Sequence, residues 1–183
     1  MHKTSLLSLT ILSFYLPVEA QTPEGYQQGH IFLSDGSSQA GLIKDQMRQK
    51  SSVVLLQDQK KQTFAASDIN GAEIEGTSYR CIQGDFFRVI CNGPMAFLQK
   101  ASHAEGKTIY NGTDAVYVPG TEGKVGDYFA YTGSNLIRIT SKNKQAFINQ
   151  YLAGNESALA KARSAQTVAG LADAIQLYNQ QHN

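Results

Sequence analysis

Four tyrosines in the second half of the chain are the residues best suited to bind a ligand. Tyr110, Tyr117, Tyr128 and Tyr131 lie close together in the sequence. Exposed together, their rings would form a platform for a sugar or a peptide, apolar on its faces and polar at its hydroxyl edge. Buried, they would be ordinary sheet residues, because aromatic side chains favour strands. We take them as candidate ligand-binding residues and favour burial as the simpler interpretation.

Three carboxylates, Asp68, Glu73 and Asp85, are candidates for the acid and base of a small hydrolase. Such a pair works only in a cleft that perturbs the pKa values of its members. Glu73 and Glu75 lie two positions apart, which places them on one face of a strand. Carboxylates with that spacing usually belong to a solvated surface, so this pair is a weak candidate.

The two cysteines, Cys81 and Cys91, are ten positions apart, which is not the C-x-x-C spacing of a thiol oxidoreductase. They are either two buried thiols that act as small apolar residues or a disulfide between nearby strands. A turn at Gln83-Gly84 would place Cys81 opposite Phe86 and leave Cys91 beyond the paired region. That geometry disfavours a bond between them, although the disulfide stays open as an alternative.

No set of residues that would bind a metal or a cofactor is recognisable. His30, His103 and His182 have no histidine or cysteine at i+3 or i+4. Residues 101–108 match a relaxed phosphate-loop pattern, but Asn111-Gly112 follows where that motif requires a helix. We therefore predict no metal, no cofactor and no assembled catalytic set.

The N-terminus has the three parts of a secretory signal peptide. Lys3 supplies the positive charge, a short apolar run follows, and Val18 and Ala20 are the residues before a cleavage site. The apolar run is shorter than the roughly 20 residues of a membrane span. The sequence therefore predicts that residues 1–20 are removed on export and that the mature chain, which begins near Gln21, has no membrane-spanning segment.

The charge balance disfavours one class of partner. The 183 residues carry 16 Lys and Arg against 15 Asp and Glu, which gives a formal net charge of +1. A nucleic-acid binder needs a concentrated basic surface, so we expect no nucleic-acid partner. The segment 44–61 is locally basic and could contact anionic envelope polymers, but such a segment is more often an exposed loop and turn.

Short apolar runs separated by turn residues predict antiparallel strands throughout residues 21–140. The strands of residues 21–76, with a turn at Asp35-Gly36, favour a small barrel of the SH3-like or Sm-like kind. Residues 77–140 favour a β-meander. Asn92-Gly93 is expected to form a type I′ turn in this meander, because both central residues of that turn need a positive φ.

The composition changes after Ser141, and apolar residues then recur at helical spacing. Residues 141–183 are therefore predicted to be helical, with Asn155 and Thr167 as N-caps. The apolar stripe from Val168 to Tyr178 is expected to pack on the sheet and not to bind a partner helix. The predicted fold class is α+β: a mostly antiparallel β-rich region followed by a C-terminal helical segment.

Several segments of the mature chain also carry a resemblance. They are residues 29–36 with Gly41-Leu42-Ile43, 64–69, 86–89 with Gly93, 128–129 leading to Leu136-Ile137, 142–144 with Phe147, and Leu171, Ile175 and Tyr178-Asn179 near the end. In this order they resemble a broad group of uncharacterised exported proteins of Bacteroidetes-type bacteria. The resemblance implies export and a β-rich body with a helical tail, and it implies no catalytic residues.

Together these features predict an exported, non-catalytic protein of the cell envelope, in the periplasm or at the cell surface, that acts as a binding or scaffold module. Its expected partner is an envelope protein or a glycan. One alternative is a small periplasmic hydrolase that uses the carboxylates described above. Another is a cell-surface structural subunit that assembles through an exposed sheet edge.

Overall fold

The computed structural model describes residues 22–103, 107–112, 114–118 and 120–182. The expected signal peptide, residues 1–20, lies outside them. The strands are β1 (Tyr26–Leu33), β2 (Ser38–Gln46), β3 (Ser52–Gln57), β4 (Lys60–Ala65), β5 (Ile69–Ile74), β6 (Thr77–Ile82), β7 (Asp85–Cys91), β8 (Ala96–Lys100), β9 (Lys107–Asn111), β10 (Asp114–Val118), β11 (Tyr128–Tyr131) and β12 (Leu136–Ile139). The helices are α1 (Met47–Lys50), α2 (Lys144–Tyr151), α3 (Glu156–Ser164) and α4 (Ala172–Gln181), with a 3₁₀ turn at Ala169–Leu171.

Most of the described strands belong to one antiparallel sheet. Its ten strands follow the order β12-β11-β8-β7-β6-β5-β1-β2-β3-β4, and β9 and β10 pair separately as a two-stranded ribbon. Tight turns connect most neighbouring strands. At Gln83-Gly84, between β6 and β7, the φ values are +52° and +81°, which is the geometry of a type I′ hairpin. The prediction of a mostly antiparallel sheet followed by helices is confirmed.

The small barrel expected over residues 21–76 is not confirmed, because the sheet is open. Strands β1 to β4 form consecutive hairpins, and β5 pairs with β1 on the other side. Closure would require β4 to pair with β5, and the described residues show no such pairing. The Asp68 carboxylate accepts a hydrogen bond from the Ala65 amide at 2.9 Å, which fixes a tight turn between the two strands. After this turn β5 continues along β1, so β4 is left as an edge.

The two faces of the sheet differ in burial because side chains alternate along each strand. On β1 and β2, Ile31 and Ile43 are fully buried, whereas His30 and Phe32, the neighbours of Ile31, are exposed. We call the face of Ile31 and Ile43 the inner face and the opposite one the outer face. The inner face of β1 to β5 encloses an apolar cluster that also contains Val53.

The C-terminal helices cover the inner face at the other end of the sheet. Met95 and Phe97 pack there against Ile148 on α2 and Ile175 on α4 within one buried cluster. Asn155 caps α3 as expected, since its side chain accepts a hydrogen bond from the Ala158 amide at 2.8 Å. No helix in the described part of the chain has the length and apolar character needed to span a bilayer.

A buried asparagine on α4 connects the last helix to the turn between β7 and β8. The Asn179 side chain accepts a hydrogen bond from the Met95 amide at 3.0 Å and donates to the carbonyls of Asn92 and Met95 at 3.2 Å and 2.8 Å. The expected type I′ turn at Asn92-Gly93 is wrong, because Gly93 has a φ of +150° and Asn92 has no positive φ. A Cβ at Gly93 would lie 2.5 Å from the Asn179 amide group, so glycine is required where that side chain enters the turn.

We predict that Asn179→Ala lowers the free energy of unfolding by about 2–3 kcal/mol, because three hydrogen bonds are lost and the buried Met95 amide is left without a partner. Urea denaturation measures the change. The matched control is Gln180→Ala at the next, exposed position of α4, which should change stability by no more than about 0.5 kcal/mol. Equal effects of the two substitutions would show that Asn179 does not hold the turn.

Candidate functional site

The tyrosines expected to form a platform occupy different parts of the structure. Tyr128 lies on the inner face of β11 and stacks on Phe97 at a centroid distance of 5.3 Å, beside the helices. Tyr131 lies on the outer face, and its hydroxyl donates to the Gly133 carbonyl at 2.6 Å. Tyr110 and Tyr117 belong to the separate β9–β10 ribbon, and their side chains lie outside the described residues. The structure therefore does not bring Tyr128 and Tyr131 to one surface.

The three candidate carboxylates are also kept apart. Asp68 holds the turn before β5, where it accepts hydrogen bonds from the Ala65 amide and the Ser67 hydroxyl. Glu73 lies on the outer face of β5, opposite Ser78. Asp85 is completely buried at the start of β7. None of the three lines the outer-face groove described below, and the complete burial of Asp85 keeps it out of the open cleft that an acid and base pair requires.

Asp85 instead belongs to a buried ion pair. Its Oδ2 lies 2.9 Å from the Lys100 ammonium, and both side chains are at most 1% exposed. Asp85 Oδ1 accepts a hydrogen bond from the Ser102 hydroxyl at 2.8 Å. The Lys100 ammonium also donates to the carbonyls of Thr121 and Glu122, at 2.6 Å and 3.2 Å. Substrate has no access to these groups, so we interpret the network as structural.

The cysteines are two separate thiols in the structure. Cys81 pairs with Phe86 across β6 and β7, as the predicted turn required, and packs against the inner-face cluster of β1 to β5. Cys91 packs against the helix-covered cluster. Burial, with a smaller effect of the Asp68 charge, raises the pKa of the Cys81 thiol to about 12, and burial also raises the pKa of Cys91. Both thiols therefore stay protonated near neutral pH and are poor nucleophiles.

A groove on the outer face brings together side chains that suit a ligand. It has a volume of about 320 Å³ and crosses β1, β5, β6 and β7. Its lining residues are Phe32, Asn70, Gly71, Ser78, Tyr79, Arg80, Val89 and Asn92. Phe32 is 40% exposed and is the exposed large hydrophobic side chain of the described residues. We therefore take this groove, where an exposed ring lies beside amide and guanidinium groups, as the candidate binding site.

The strand register explains the shape of this groove. Phe32 pairs with Gly71, and Gly71 pairs with Arg80 on the next strand. Gly71 has no side chain, so the phenyl ring and the guanidinium flank an open strip of backbone. A Cβ at Gly71 would lie 2.3 Å from the Tyr79 carbonyl oxygen, so a larger residue would displace β6.

The polar groups of the groove are held in place and keep free hydrogen-bonding capacity. The Arg80 Nη2 donates to the Asn92 Oδ1 at 2.7 Å, and the Asn70 side-chain amide donates to the Leu33 carbonyl at 3.1 Å. Within the described residues Arg80 has no carboxylate within 4.0 Å. A guanidinium carries five N–H donors, so most of those on Arg80 remain available to a ligand.

Sequence reasoning missed this groove, although part of its signal was present. Alternation along β1 places Phe32 on the side opposite the buried Ile31. A large aromatic residue in an outward position was therefore detectable. The approach of Arg80 depends on the pairing of β5 with β1, which joins distant segments and leaves no local pattern.

Comparisons with known proteins do not assign a function to this groove. No protein-family model matches the chain, and neither curated proteins nor solved structures gave a significant match. Among the described residues, no group of three or more His, Cys, Asp or Glu side chains could hold a metal ion. Any function must therefore be argued from the groove and its surroundings.

We predict that Asp85→Asn strongly lowers the free energy of unfolding, because it leaves the Lys100 ammonium buried without its counter-charge. The expected loss is about 3–5 kcal/mol of unfolding free energy. The double variant Asp85→Asn/Lys100→Met should lose less than the sum of its two single variants. Chemical denaturation of the four proteins measures this coupling.

The exposed Lys161–Asp173 pair, with an N–O distance of 3.2 Å, is the matched control. Asp173→Asn should cost no more than about 1 kcal/mol, because solvent screens an exposed pair. Additive losses at Asp85 and Lys100, or a similar loss at Asp173, would contradict a structural role for the buried pair.

Proposed function

We propose that this protein is an exported, non-catalytic binding module of the cell envelope and that it binds a glycan in the outer-face groove. The observation that carries the proposal is the juxtaposition of an exposed phenyl ring, Phe32, with the guanidinium of Arg80 across the open strip at Gly71. The ring offers an apolar surface to the C–H face of a sugar. The guanidinium and the amides of Asn70 and Asn92 offer hydrogen bonds to its hydroxyl groups.

A glycan fits this groove better than a folded protein partner does. Its eight lining residues are few compared with the roughly 20–30 residues that each partner contributes to a standard protein interface. It is also rimmed by polar groups, with Asn70, Ser78 and Asn92 exposed. A narrow, amide-lined strip beside a single ring suits a short stretch of an extended polymer.

Binding is better supported than hydrolysis at this site. None of the candidate carboxylates, Asp68, Glu73 and Asp85, lines the groove. Arg80 and the amides bind and orient a ligand, but they supply neither a general acid nor a general base at neutral pH. The groove thus has the chemistry of recognition without that of bond cleavage.

The sheet edges give less support to a structural subunit. Strand β4 is one edge, and its first four residues, including Lys60 and Lys61, are exposed. Edge lysines oppose pairing with another strand. Strand β12, the other edge, is only four residues long, which limits the number of backbone hydrogen bonds that it could add.

Export is tested by the mass of the secreted product. We expect the chain, expressed from Met1 in a Gram-negative host, to appear in the periplasmic or extracellular fraction without residues 1–20. Leu12→Arg, which places a charge in the apolar run, should keep the protein inside the cell at its full mass. A cytoplasmic wild-type product with an intact N-terminus would contradict export.

The groove is tested with purified mature protein against peptidoglycan sacculi and a panel of soluble polysaccharides, measured by co-sedimentation and affinity electrophoresis. Phe32→Ala and Arg80→Ala should each weaken retention about tenfold, equivalent to about 1.4 kcal/mol. Their melting temperatures should stay near that of the wild type, because Phe32 is 40% exposed and Arg80 makes no ion pair within the described chain.

Arg88→Ala is the matched control for Arg80. Arg88 lies on the neighbouring strand β7 and also donates to a side-chain amide oxygen, that of Gln99, at 2.7 Å. It pairs with Tyr79 and so faces the inner side of the sheet. Retention of Arg88→Ala should match the wild type. If no polysaccharide is retained by the wild type, or if Arg88→Ala weakens retention as much as Arg80→Ala does, the proposed function is wrong.

A further inference from the structure

A second aromatic and cationic cluster lies on the same face as the groove. The ammonium groups of Lys44 on β2 and Lys61 on β4 both lie 5.9 Å from the centroid of the Tyr26 ring on β1. This distance is within the range of a cation–π interaction. We call these three residues the Tyr26 cluster. Two positive charges, from β2 and β4, which are not neighbours in the sheet, therefore lie close to the same ring.

The charges of this cluster are not neutralised by the described residues. Neither ammonium lies within 4.0 Å of a carboxylate there. Asp45, the nearest acidic residue in sequence to Lys44, pairs with Val53 and therefore faces the inner side of the sheet, where its carboxylate accepts a hydrogen bond from the Met47 amide at 2.8 Å. Two ammonium groups drawn to one ring repel each other, and an anion placed between them would relieve that repulsion.

The register places the Tyr26 cluster and the groove on one surface. Tyr26, His30 and Phe32 occupy outward positions of β1, and Lys44 lies opposite Tyr26. Tyr26 and Phe32 are six residues apart, which is about 20 Å along a strand. On the outer face of β1 to β6 the charged side chains are Lys44, Lys61, Arg80 and Glu73, together with titratable His30. This surface is therefore more positive than the nearly neutral chain as a whole.

We propose that the glycan bound by this face is acidic and lies along β1 from the Tyr26 cluster to the groove. Its sugar rings contact Tyr26 and Phe32, and its carboxylate or phosphate groups meet Lys44 and Lys61 at one end and Arg80 at the other. The guanidinium suits a carboxylate or phosphate because it presents parallel N–H donors. This inference rests on the proposed function, to which it adds the charge of the ligand and the second contact.

The same surface suits a nucleic acid less well. Three cations spread over about 20 Å give few phosphate contacts, whereas sequence-independent nucleic-acid binders neutralise many phosphates along a continuous basic stripe. The rings of Tyr26 and Phe32 lie at the two ends of the surface and do not form successive stacking positions for bases.

The test measures binding of the mature protein to three polymers by isothermal titration: polygalacturonate, phosphorylated dextran and unmodified dextran. The first two separate carboxylate from phosphate as the anionic group, and the third is uncharged. We expect the wild type to bind at least one acidic polymer about tenfold more tightly than dextran. Its affinity should fall as salt is raised, because the contact is electrostatic.

The decisive variant is Lys44→Gln/Lys61→Gln, and the matched control is Lys50→Gln/Lys60→Gln. Both remove two positive charges. Lys50 lies exposed on α1, and Lys60, opposite Gln57, alternates with Lys61 on β4. The first variant should weaken binding about tenfold and reduce the salt dependence, whereas the control should keep most of the wild-type affinity. Circular dichroism confirms that both variants remain folded.

The outcomes separate this inference from the proposed function. If dextran binds as tightly as the acidic polymers and Phe32→Ala still weakens binding, the binding module stands and the acidic ligand is wrong. If none of the polymers and no sacculi are bound, both are wrong. Equal losses in the two lysine variants, or tighter binding of single-stranded DNA than of either acidic polymer, would also overturn the inference.

Discussion

The Lys100 ammonium, buried at the end of β8, constrains the whole middle of the molecule. A buried positive charge is tolerated only when it is paired and when its protons have acceptors. Asp85 on β7 supplies the counter-charge, and the carbonyls of residues 121–123 supply acceptors. One side chain thereby joins two strands to the segment that leads into β11. The outer face beside it holds Phe87 and Phe129 in an edge-on contact at 5.2 Å, so the order of β7, β8 and β11 depends on this charge being satisfied.

This constraint separates two regions of the outer face. Around Phe87, Leu98 and Phe129 the face is buried, and its charged side chains are paired. Lys100 pairs with Asp85 in the interior, and Arg138, opposite Phe129, pairs with Asp127 nearer the surface. Around Phe32 and Arg80 the face is open, and its charges have no carboxylate partner in the described chain. The buried ion pair and the proposed recognition surface therefore occupy different parts of the sheet.

Local patterns predicted much of the fold. Alternation and turn residues located most strands, and Asn155 marked the start of α3, because these signals act over a few residues. Long-range contacts decided the rest. The Asn92-Gly93 turn takes its shape from Asn179, a residue 87 positions away. The barrel is not closed because β4 and β5, although joined by the Asp68 turn, do not pair in the described chain. The same limit applies to the candidate site. Tyr128 and Tyr131 are neighbours in the sequence, yet the three-residue step between them places them on opposite faces of β11. Phe32 and Arg80 are distant in the sequence and come together only through strand pairing.

Because Cys81 is partly buried, its thiol should differ between the native state and the unfolded chain in its sensitivity to oxidation. In the native state its thiol has a pKa of about 12 and packs against a closed cluster, so it forms few thiolates. In an unfolded chain the same thiol returns to an ordinary pKa of about 8.5, where thiolate exchange with disulfides becomes fast. Thiol–disulfide exchange at Cys81 is therefore expected to be faster from the opened chain than from the native state. The rate at which thiols are lost under oxidants is then a measure of how often the sheet opens.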